Sequence, residues 1–438
     1  MIPTSKKCKI FEGMKVIKSN KTITPFAGIS FVNESFSTSG ISKLIDSTLG
    51  SRVKTSGYQY SDIIKSLTNV FMSGGDVIED LNTSFGEHLK NIPHNKVPSP
   101  TTVIRGIKEL TVDNIIFTSK NNLSYNFNIN DTLNSLNIKS LITTKQLEKG
   151  KLYDFDYDNQ VIVNNNFDAK NTYKKTKGYL PGVATIGEKV VYIENRDGNA
   201  NVKFEQAGTL QRAYQHLEDE GIKVNRSRMD AGSYAQGIID VVDKNSRLFY
   251  IRANKSTILF EQIQNLENWQ EIELNYKKYE VASIVFKQFF EERNYRLVIM
   301  REKANTAQID LFTKDNMKYR TILTNDWKST EEQVIEYYNQ RGKSEKVFDV
   351  MNNDFGWNRL PFSFLNQNCS FMIITAMIKN FYTYFLNIVS DIFEDLEPTS
   401  RLKRFVFKFI SVAGQWIYQA REYKLRLFSN KPYFNLKV

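Results

Sequence analysis

The chain has 438 residues, of which 41% are hydrophobic and 13% aromatic, so it can bury more than one core and wholesale disorder is excluded. Its formal net charge is +11 and its pI is near 9.2. Such a charge favours a polyanionic partner, and nucleic acid is the common one.

Residues 1–145 are predicted to form an N-terminal helical DNA-binding region. The basic start of the chain is followed by no apolar run, so a secretory signal is not expected. The clearest helix start is Ser99-Pro100, where a capping side chain precedes proline at the first helical position. The pattern leaves open whether this region contains a helix-turn-helix.

Residues 146–246 alternate strand and helix patterns. KLYDFDYDNQVIV, VATIGEKVVYIE and VNRSRMD each read as a strand, and helices are predicted over 204–220 and around 235–242. This alternation predicts an α/β sheet, in which ligands collect at strand ends.

Residues 247–325 are rich in strand patterns without clear helices, which predicts an all-β insertion. The strands are RLFYIRA, WQEIEL, YEVASIVFKQFF, YRLVIMRE and YRTILT. A helix returns after Ser329 and Thr330, where a capping residue precedes acidic residues, and is predicted to continue through Glu345 within the segment 326–362.

Residues 363–438 are predicted to be a C-terminal helical and basic region. The apolar stretch 371–393 includes Lys379 and Asp391, which indicates a buried helix rather than a membrane span. From residue 401 onward the tail has nine basic residues and one acid. The aromatic residues among them, Trp416, Tyr418 and Tyr423, could stack on bases, and core packing is the alternative.

Residues that usually bind zinc are scarce. Cys8 and Cys369 are far apart in the sequence, which indicates a reducing compartment and excludes a cysteine-built zinc site. The three histidines, His88, His94 and His216, are scattered. A metal would therefore be held mainly by oxygen ligands, which favours Mg²⁺ or Mn²⁺.

Phosphoryl transfer with two metal ions needs carboxylates from separate parts of the chain. Asp156 in the first predicted strand, Asp230 at the end of VNRSRMD and Glu345 on the later helix meet this need. Asp154, Asp156 and Asp158 share one strand face, so the pattern alone does not choose among them. A calcium loop is excluded, because Asn159 replaces the turn glycine and Asn165 the closing Glu.

The motif YNQRGKSE places Tyr338, Arg341 and Glu345 at spacings of three and four, which predicts one shared helix face. Glu345 could ligate a metal, while Tyr338 and Arg341 could hold a DNA phosphate. A surface ladder of ion pairs is the alternative, although such a ladder would not usually include a Tyr.

At these motifs the chain resembles the DDE insertion-sequence transposases that have a β insertion before the catalytic Glu, most closely insertion-sequence family thirteen-eighty within the IS-four-like group. Tyr338, Arg341 and Glu345 match its signature, whereas Asn352 replaces a final Lys. FDYDNQ and RMDAGSY resemble the two Asp segments and assign Asp156 and Asp230. GYLPGVATIG and NDFGWNRLP also fit, so the specific resemblance spans residues 151–360.

The resemblance implies an α/β, RNase H-like catalytic core interrupted by the β insertion and flanked by helical regions. It also implies two Mg²⁺ ions (or Mn²⁺) held by Asp156, Asp230 and Glu345, and a homodimer acting on transposon-end DNA and target DNA. No membrane and no nucleotide cofactor are expected, and the expected location is the bacterial cytoplasm, at the nucleoid.

Two other functions remain open from the sequence: a nuclease of the same fold that cuts without joining, and a DNA-binding protein without catalysis. A tyrosine recombinase is disfavoured, because no Tyr near the chain end is surrounded by Arg and His. No Gly-rich phosphate loop of the Walker type is present, so ATP hydrolysis is not expected.

Overall fold

A computed structural model describes residues 20–52, 57–254, 257–264, 266–286, 293–303 and 316–436. Cys8, the basic start of the chain, Lys437 and the end of the strand predicted from Tyr279 lie outside these ranges. The structure is mixed α/β, with one large mixed sheet and helices packed against it.

Most of the helices lie within residues 29–143 and 331–405. Over the described residues the α-helices are α1 (Ile29–Thr38), α2 (Ile41–Leu49), α3 (Tyr60–Met72), α4 (Ser84–Lys90), α5 (Pro100–Lys108), α6 (Asp131–Thr143), α7 (Gln206–Asp219), α8 (Gln236–Asn245), α9 (Thr257–Gln264), α10 (Glu331–Asn339), α11 (Lys343–Asp354), α12 (Leu365–Ser390) and α13 (Leu402–Phe405).

The strands occupy mainly the middle of the chain. They are β1 (Ile115–Thr118), β2 (Ser124–Asn128), β3 (Leu152–Asn159), β4 (Ile162–Val163), β5 (Lys170–Asn171), β6 (Lys177–Tyr179), β7 (Gly182–Ile186), β8 (Lys189–Arg196), β9 (Lys223–Met229), β10 (Leu248–Arg252), β11 (Gln270–Leu274), β12 (Lys277–Phe286), β13 (Tyr295–Lys303), β14 (Met317–Thr324), β15 (Gly414–Gln419) and β16 (Glu422–Leu427).

Eleven of these strands form one sheet, in the order β1-β2-β8-β7-β3-β9-β10-β14-β13-β12-β11. At its centre, β3 pairs antiparallel with β7, and β7 pairs antiparallel with β8. On the other side β9 runs parallel to β3, and β10 runs parallel to β9. The carboxyl ends of β3 and β9 therefore lie next to each other, which is where an open α/β sheet binds its ligands.

The two faces of β3 have different surroundings, because successive side chains point to opposite sides of a strand. Phe155 and Tyr157 are buried in a core shared with α7 and α8, and the Phe155 ring lies 4.6 Å from that of Tyr214. Asp154, Asp156 and Asp158 alternate with these residues and face the side where α10 and α11 lie. The acidic residues thus lie on the side of the sheet that α10 and α11 cover.

Several sequence predictions are confirmed, including the helix start at Ser99, whose side chain accepts from the amide of Thr102, and the helices α7 and α8. Others were wrong. VATIGEKVVYIE forms two strands, because Gly187 adopts a positive φ of 60° and turns the chain between β7 and β8. The N-terminal and C-terminal regions each contain a hairpin as well as helices.

The segment 247–325 also differs from its prediction. It contains the helix α9, and its strands are continuous with the central sheet, since β14 pairs antiparallel with β10. The apolar face of α9 buries Leu259 and Phe260 in the same core as the central strands. The sequence pattern predicted these strands, but it did not show that they extend the central sheet by pairing with β10.

The apolar stretch 371–393 lies mostly in α12, which is long and apolar enough to cross a membrane by length and composition alone. However, 78% of its most apolar window is buried inside the protein. Residues from α1, α3, α5 and α11 pack around it. The prediction of a buried helix is therefore confirmed.

Lys379 is an unusual residue in this helix, since it is 4% exposed and its ammonium group donates to the backbone carbonyl of Glu188. Burial lowers the pKa of Lys379 to about 8 from an ordinary value of 10.5. Between these two values the unfolded chain binds more protons than the folded chain. The free energy of unfolding should therefore rise as pH increases through this window.

Lys379→Met should remove this pH dependence and raise the free energy of unfolding at pH 7 by up to about 3 kcal/mol, because a pKa unit corresponds to about 1.4 kcal/mol. Urea denaturation at pH 7 and pH 10 measures both effects. Lys139→Met is the control, since that ammonium group is 40% exposed and should show neither effect. A less stable Lys379→Met protein at pH 7 would contradict the prediction.

Candidate active site

Charged side chains of β3 and β9 face each other across the parallel pair. The observed register sets Asp154 opposite Arg226 and Asp156 opposite Arg228, and one further step of the same alternation brings Asp158 beside Asp230. We call this arrangement the charge ladder. Its three rungs are Asp154–Arg226, Asp156–Arg228 and Asp158–Asp230.

The first two rungs are closed ion pairs. Arg228 donates from Nε and Nη2 to the two carboxylate oxygens of Asp156, each at 2.7 Å, and Arg226 binds Asp154 in the same bidentate way. Both guanidinium carbons lie over the ring of Tyr337, at 3.9 Å for Arg226 and 4.6 Å for Arg228. Asp156 is 3% exposed, so its carboxylate is buried and already fully engaged.

The third rung differs because it sets two carboxylates side by side. Asp230 accepts a hydrogen bond from the amide of Gly232 at 2.9 Å, and the cation nearest to Asp158 comes from outside the two strands. Arg341 supplies it, with Nη2 2.7 Å from an oxygen of Asp158. Burial raises the pKa of Asp158 to about 6, and the charges of Asp230 and Glu345 add to this rise while Arg341 opposes it. The rung therefore has excess negative charge.

Glu345 approaches this rung from α11, which packs against β3. The predicted continuous helix is interrupted, because Gln340–Gly342 form a 3₁₀ turn between α10 and α11. Arg341 lies in this turn, and Glu345 lies in the first turn of α11, where its side chain is exposed. Because the helix is interrupted, one short segment directs both the Arg341 guanidinium and the Glu345 carboxylate toward Asp158.

Tyr338 was predicted to contact DNA, but the structure gives its hydroxyl a different partner. The residue is 8% exposed, and the hydroxyl donates to the carbonyl oxygen of Met229 at 3.1 Å. Met229 immediately precedes Asp230. The hydrogen bond therefore fixes the end of β9, and the predicted contact of Tyr338 with DNA stays a prediction.

Of the predicted site residues, Asp230, Arg341 and Glu345 lie near enough to Asp158 for their charges to act on it, whereas Asp156 is held in its own ion pair one rung away, where its charge also acts on Arg341. Asp158 is one of the three acidic residues of β3 that the sequence could not separate. A signal that distinguishes Asp158 was present in the chain. When DFDYD is aligned with RSRMD, each of the first two acidic residues stands opposite an Arg. The third acidic residue stands opposite another acid, so the third pair lacks a cation.

The geometry therefore describes two adjacent carboxylates at the ends of parallel strands, with a third nearby on a helix. A family model described as "Transposase DDE domain group 1" matches residues 19–437. The chain belongs to this family of DDE transposases. It is accordingly an enzyme that cuts DNA in transposition.

One solved structure similar to this transposase is a cryo-EM structure of a piggyBac transposase synaptic complex with hairpin DNA. The two chains are 12% identical with a TM-score of 0.41, and the match covers 88% of this chain and 79% of the other. No individual protein of curated function matches the sequence.

DDE transposases use divalent metal ions, and carboxylates such as those of the third rung are the ligands that such ions prefer. Among the residues that the structure describes, no three His, Cys, Asp or Glu side chains stand close enough to hold a metal together. Asp158 and Asp230 nevertheless offer oxygen donors, and burial, together with the charge of Asp230, raises the pKa of Asp158. The guanidinium of Arg341 is the counter-cation of Asp158. A metal ion bound to Asp158 would supply positive charge in its place.

Proposed function

We propose that this transposase cleaves DNA at the ends of an insertion sequence and joins those ends to target DNA in the bacterial nucleoid. Two Mg²⁺ ions, or Mn²⁺ in their place, would be held by Asp158, Asp230 and Glu345. The observation that carries this proposal is the third rung of the charge ladder, which has two carboxylates where the other rungs have one carboxylate and one Arg.

The first two rungs support the choice of Asp158 over Asp156. A metal ligand needs a carboxylate with lone pairs directed at the ion, whereas both oxygens of Asp156 accept from Arg228. Moving Asp156 to a metal would leave Arg228 buried without its anion, at a cost of several kcal/mol. Asp158 has a single ion-pair partner, Arg341 on the neighbouring turn. Replacing that partner with a metal ion would cost less free energy than breaking the pair between Asp156 and Arg228.

Arg341 and Tyr338 have separate roles in this proposal. Arg341 would keep the acidic cluster partly neutralised, and its planar guanidinium would offer paired donors to a DNA phosphate beside the metal ligands. Tyr338 is a positioning residue, because its hydroxyl fixes the carbonyl of Met229 and so the backbone from which Asp230 extends. Tyr337 performs a similar task for the two closed rungs through its ring.

Bound divalent ions would stabilise negative charge on the attacking and leaving oxygens of the transferred phosphate. Asp158 lies in β3 and Asp230 directly follows β9, so the pairing of these strands up to Tyr157 and Met229 positions both backbones before DNA binds. Glu345 enters from a helix that follows a turn, which leaves it exposed toward the substrate. The chain thus presents rigid ligands on one side and an accessible ligand on the other.

The finer assignment to insertion-sequence family thirteen-eighty is supported by Tyr338, Arg341 and Glu345 at their signature spacing. The strand order of β8, β7, β3, β9 and β10 supports an RNase H-like core within the larger sheet. A homodimer on paired transposon ends follows from the same assignment.

A strand-transfer assay tests the proposal. DNA that flanks the coding sequence is supplied either intact or pre-cut, with supercoiled plasmid as the target and Mg²⁺ or Mn²⁺ as the metal. Joined products from the pre-cut ends are expected. Cleavage of intact ends without joining would instead identify the nuclease alternative, and the absence of both reactions with either metal would contradict the proposed function.

A further inference from the structure

The basic residues of the C-terminal tail fall into two groups. Most of those before residue 410, together with Lys431, are bound to groups of the protein itself, as in the contacts Arg401–Asp354, Lys408–Asp395, Arg404–Asp395 and Lys431–Lys408. Arg421, Lys424 and Arg426 differ, since within the described part of the chain no ion pair involves them. All three are exposed. Their charge is thus available to a partner.

These three residues lie on one hairpin, formed by β15 and β16. Its apolar face carries Trp416, Leu425 and Leu427, which pack against the helical core. Lys424 and Arg426 belong to the opposite face, where they pair across the strands with Ile417 and Gln415. The hairpin therefore has one face fixed to the protein and one exposed face, which carries Lys424 and Arg426 together with a single acid, Glu422.

The base of the hairpin is anchored by backbone hydrogen bonds in both directions between Thr24 and Gly414, each 2.9 Å long. At the other end the rings of Tyr418 and Tyr423 contact each other at 4.9 Å, and both side chains are at least half exposed. The aromatic end is also held, since the ring of His94 lies 5.5 Å from that of Tyr423. The hairpin is thus a ribbon fixed at both ends whose outer face can meet a groove without unfolding.

The turn of the hairpin consists of Ala420 and Arg421, with φ of 54° and 65°. Two-residue hairpin turns with both φ positive strongly favour Asn-Gly, because side chains of other residues crowd the backbone there. The cost for a residue other than glycine is on the order of 1 kcal/mol. Arg421 is thus a poor residue for the geometry of this turn. Its presence there favours a role for its charge at the exposed end of the hairpin.

We propose that this hairpin binds duplex DNA, with Arg421, Lys424 and Arg426 contacting backbone phosphates. The proposal rests on the proposed function, since it assigns a surface to DNA that the active site would cut. Charge complementarity argues for DNA as the partner, and the major groove of B-DNA admits a two-stranded ribbon. Tyr418 and Tyr423 lie at the end that enters first, on the face opposite Lys424 and Arg426, and add hydroxyl donors there.

The test compares the wild-type chain with Arg421→Gln/Lys424→Gln/Arg426→Gln on a fluorescein-labelled duplex of arbitrary sequence. Fluorescence anisotropy between about 50 and 200 mM salt gives the slope of log affinity against log salt. Each lost phosphate contact should lower this slope by about 0.9, so the triple variant should lose up to about 2.7. Its affinity at the lowest salt should fall more than tenfold.

The matched control is Lys151→Gln/Lys278→Gln/Arg359→Gln, which removes three exposed charges that are already paired with acids. It should retain the wild-type slope. Equal slopes in the wild-type and hairpin variants, or equal losses in both triple variants, would overturn the hairpin assignment while leaving the proposed cleavage untouched. Wild-type protein that binds no DNA at all would overturn the proposed function as well.

Arg421→Gly separates binding from folding. It removes the positive charge and also relieves the turn, so DNA affinity should fall while the free energy of unfolding stays equal or rises. A purely structural role for Arg421 would give the opposite pattern, with lower stability and unchanged affinity for the same duplex.

Discussion

Replacing Asp158 by Asn, or Glu345 by Gln, should reduce Mg²⁺-dependent DNA cleavage by several orders of magnitude while leaving DNA binding nearly intact. Metal stabilisation of the transition state is worth several kcal/mol, and each 1.4 kcal/mol or so is a factor of ten in rate. Asp158→Asn should also remain folded, because burial and neighbouring charges raise the pKa of Asp158 to about 6 and so disfavour its charged form. Single-turnover cleavage with Mg²⁺, measured beside affinity without metal, separates the two effects.

Arg341→Ala is the informative comparison for these variants. If the guanidinium of Arg341 binds a phosphate, this variant should weaken the DNA complex and lower its salt slope by about 0.9, alongside any loss in rate. Lys at position 341 should substitute poorly if the contact is bidentate. Full cleavage by Asp158→Asn or Glu345→Gln would contradict the metal assignment, whatever the behaviour of Arg341.

Replacing Asp156 by Asn should instead lower the free energy of unfolding by about 3–5 kcal/mol, since it leaves Arg228 buried without its anion. Asp156 and Arg228 are 3% and 6% exposed at their side chains, so water cannot replace the lost charge. Urea denaturation followed by circular dichroism measures the effect. Protein that remains folded should retain part of its cleavage activity, because Asp156 is one rung away from the proposed metal ligands.

Asp154→Asn is the matched control, because Asp154 and Arg226 form the same bidentate pair in a more exposed place. Its effect on stability should be at most about 1 kcal/mol. An Asp156→Asn protein as stable as the wild type but devoid of cleavage would mean that Asp156 is the metal ligand after all, and that the ion pair with Arg228 breaks when metal binds.

Much of the central fold could be predicted from local pattern. The strands β3, β9 and β10 and the helices α7 and α8 follow from alternating or helical spacing of apolar residues, which local sequence encodes. Strand pairing is not encoded locally. The continuity of β10 and β14 in one sheet depends on backbone hydrogen bonds between residues some 70 positions apart, for example Tyr250 and Thr324. The segment therefore appeared separate in the sequence.

The candidate site was predictable in part for the same reason. Asp230, Arg341 and Glu345 lie in distinctive motifs, and in the structure the charge of each acts on Asp158. The choice among Asp154, Asp156 and Asp158 requires knowing which residue of β9 each one faces, and register is a tertiary property. The short turn at Gln340–Gly342 was missed as well, because side-chain spacing describes helix faces but does not reveal a local change from α to 3₁₀ geometry.

The charge ladder also influences the register in which β3 and β9 pair during folding. Sliding β9 by two residues would place Asp156 against Asp230 and Asp154 against Arg228, burying two like charges and leaving Arg226 unmatched. Sliding by two residues in the other direction would still pair both Arg residues, Asp156 with Arg226 and Asp158 with Arg228, but Asp154 would then face Val224. The charge pattern therefore disfavours the first slip, and the apolar face of the strands must select against the second. In the observed register the like-charged pair lies at the carboxyl ends of the strands, so strand pairing itself brings two carboxylates together before any metal or DNA is encountered.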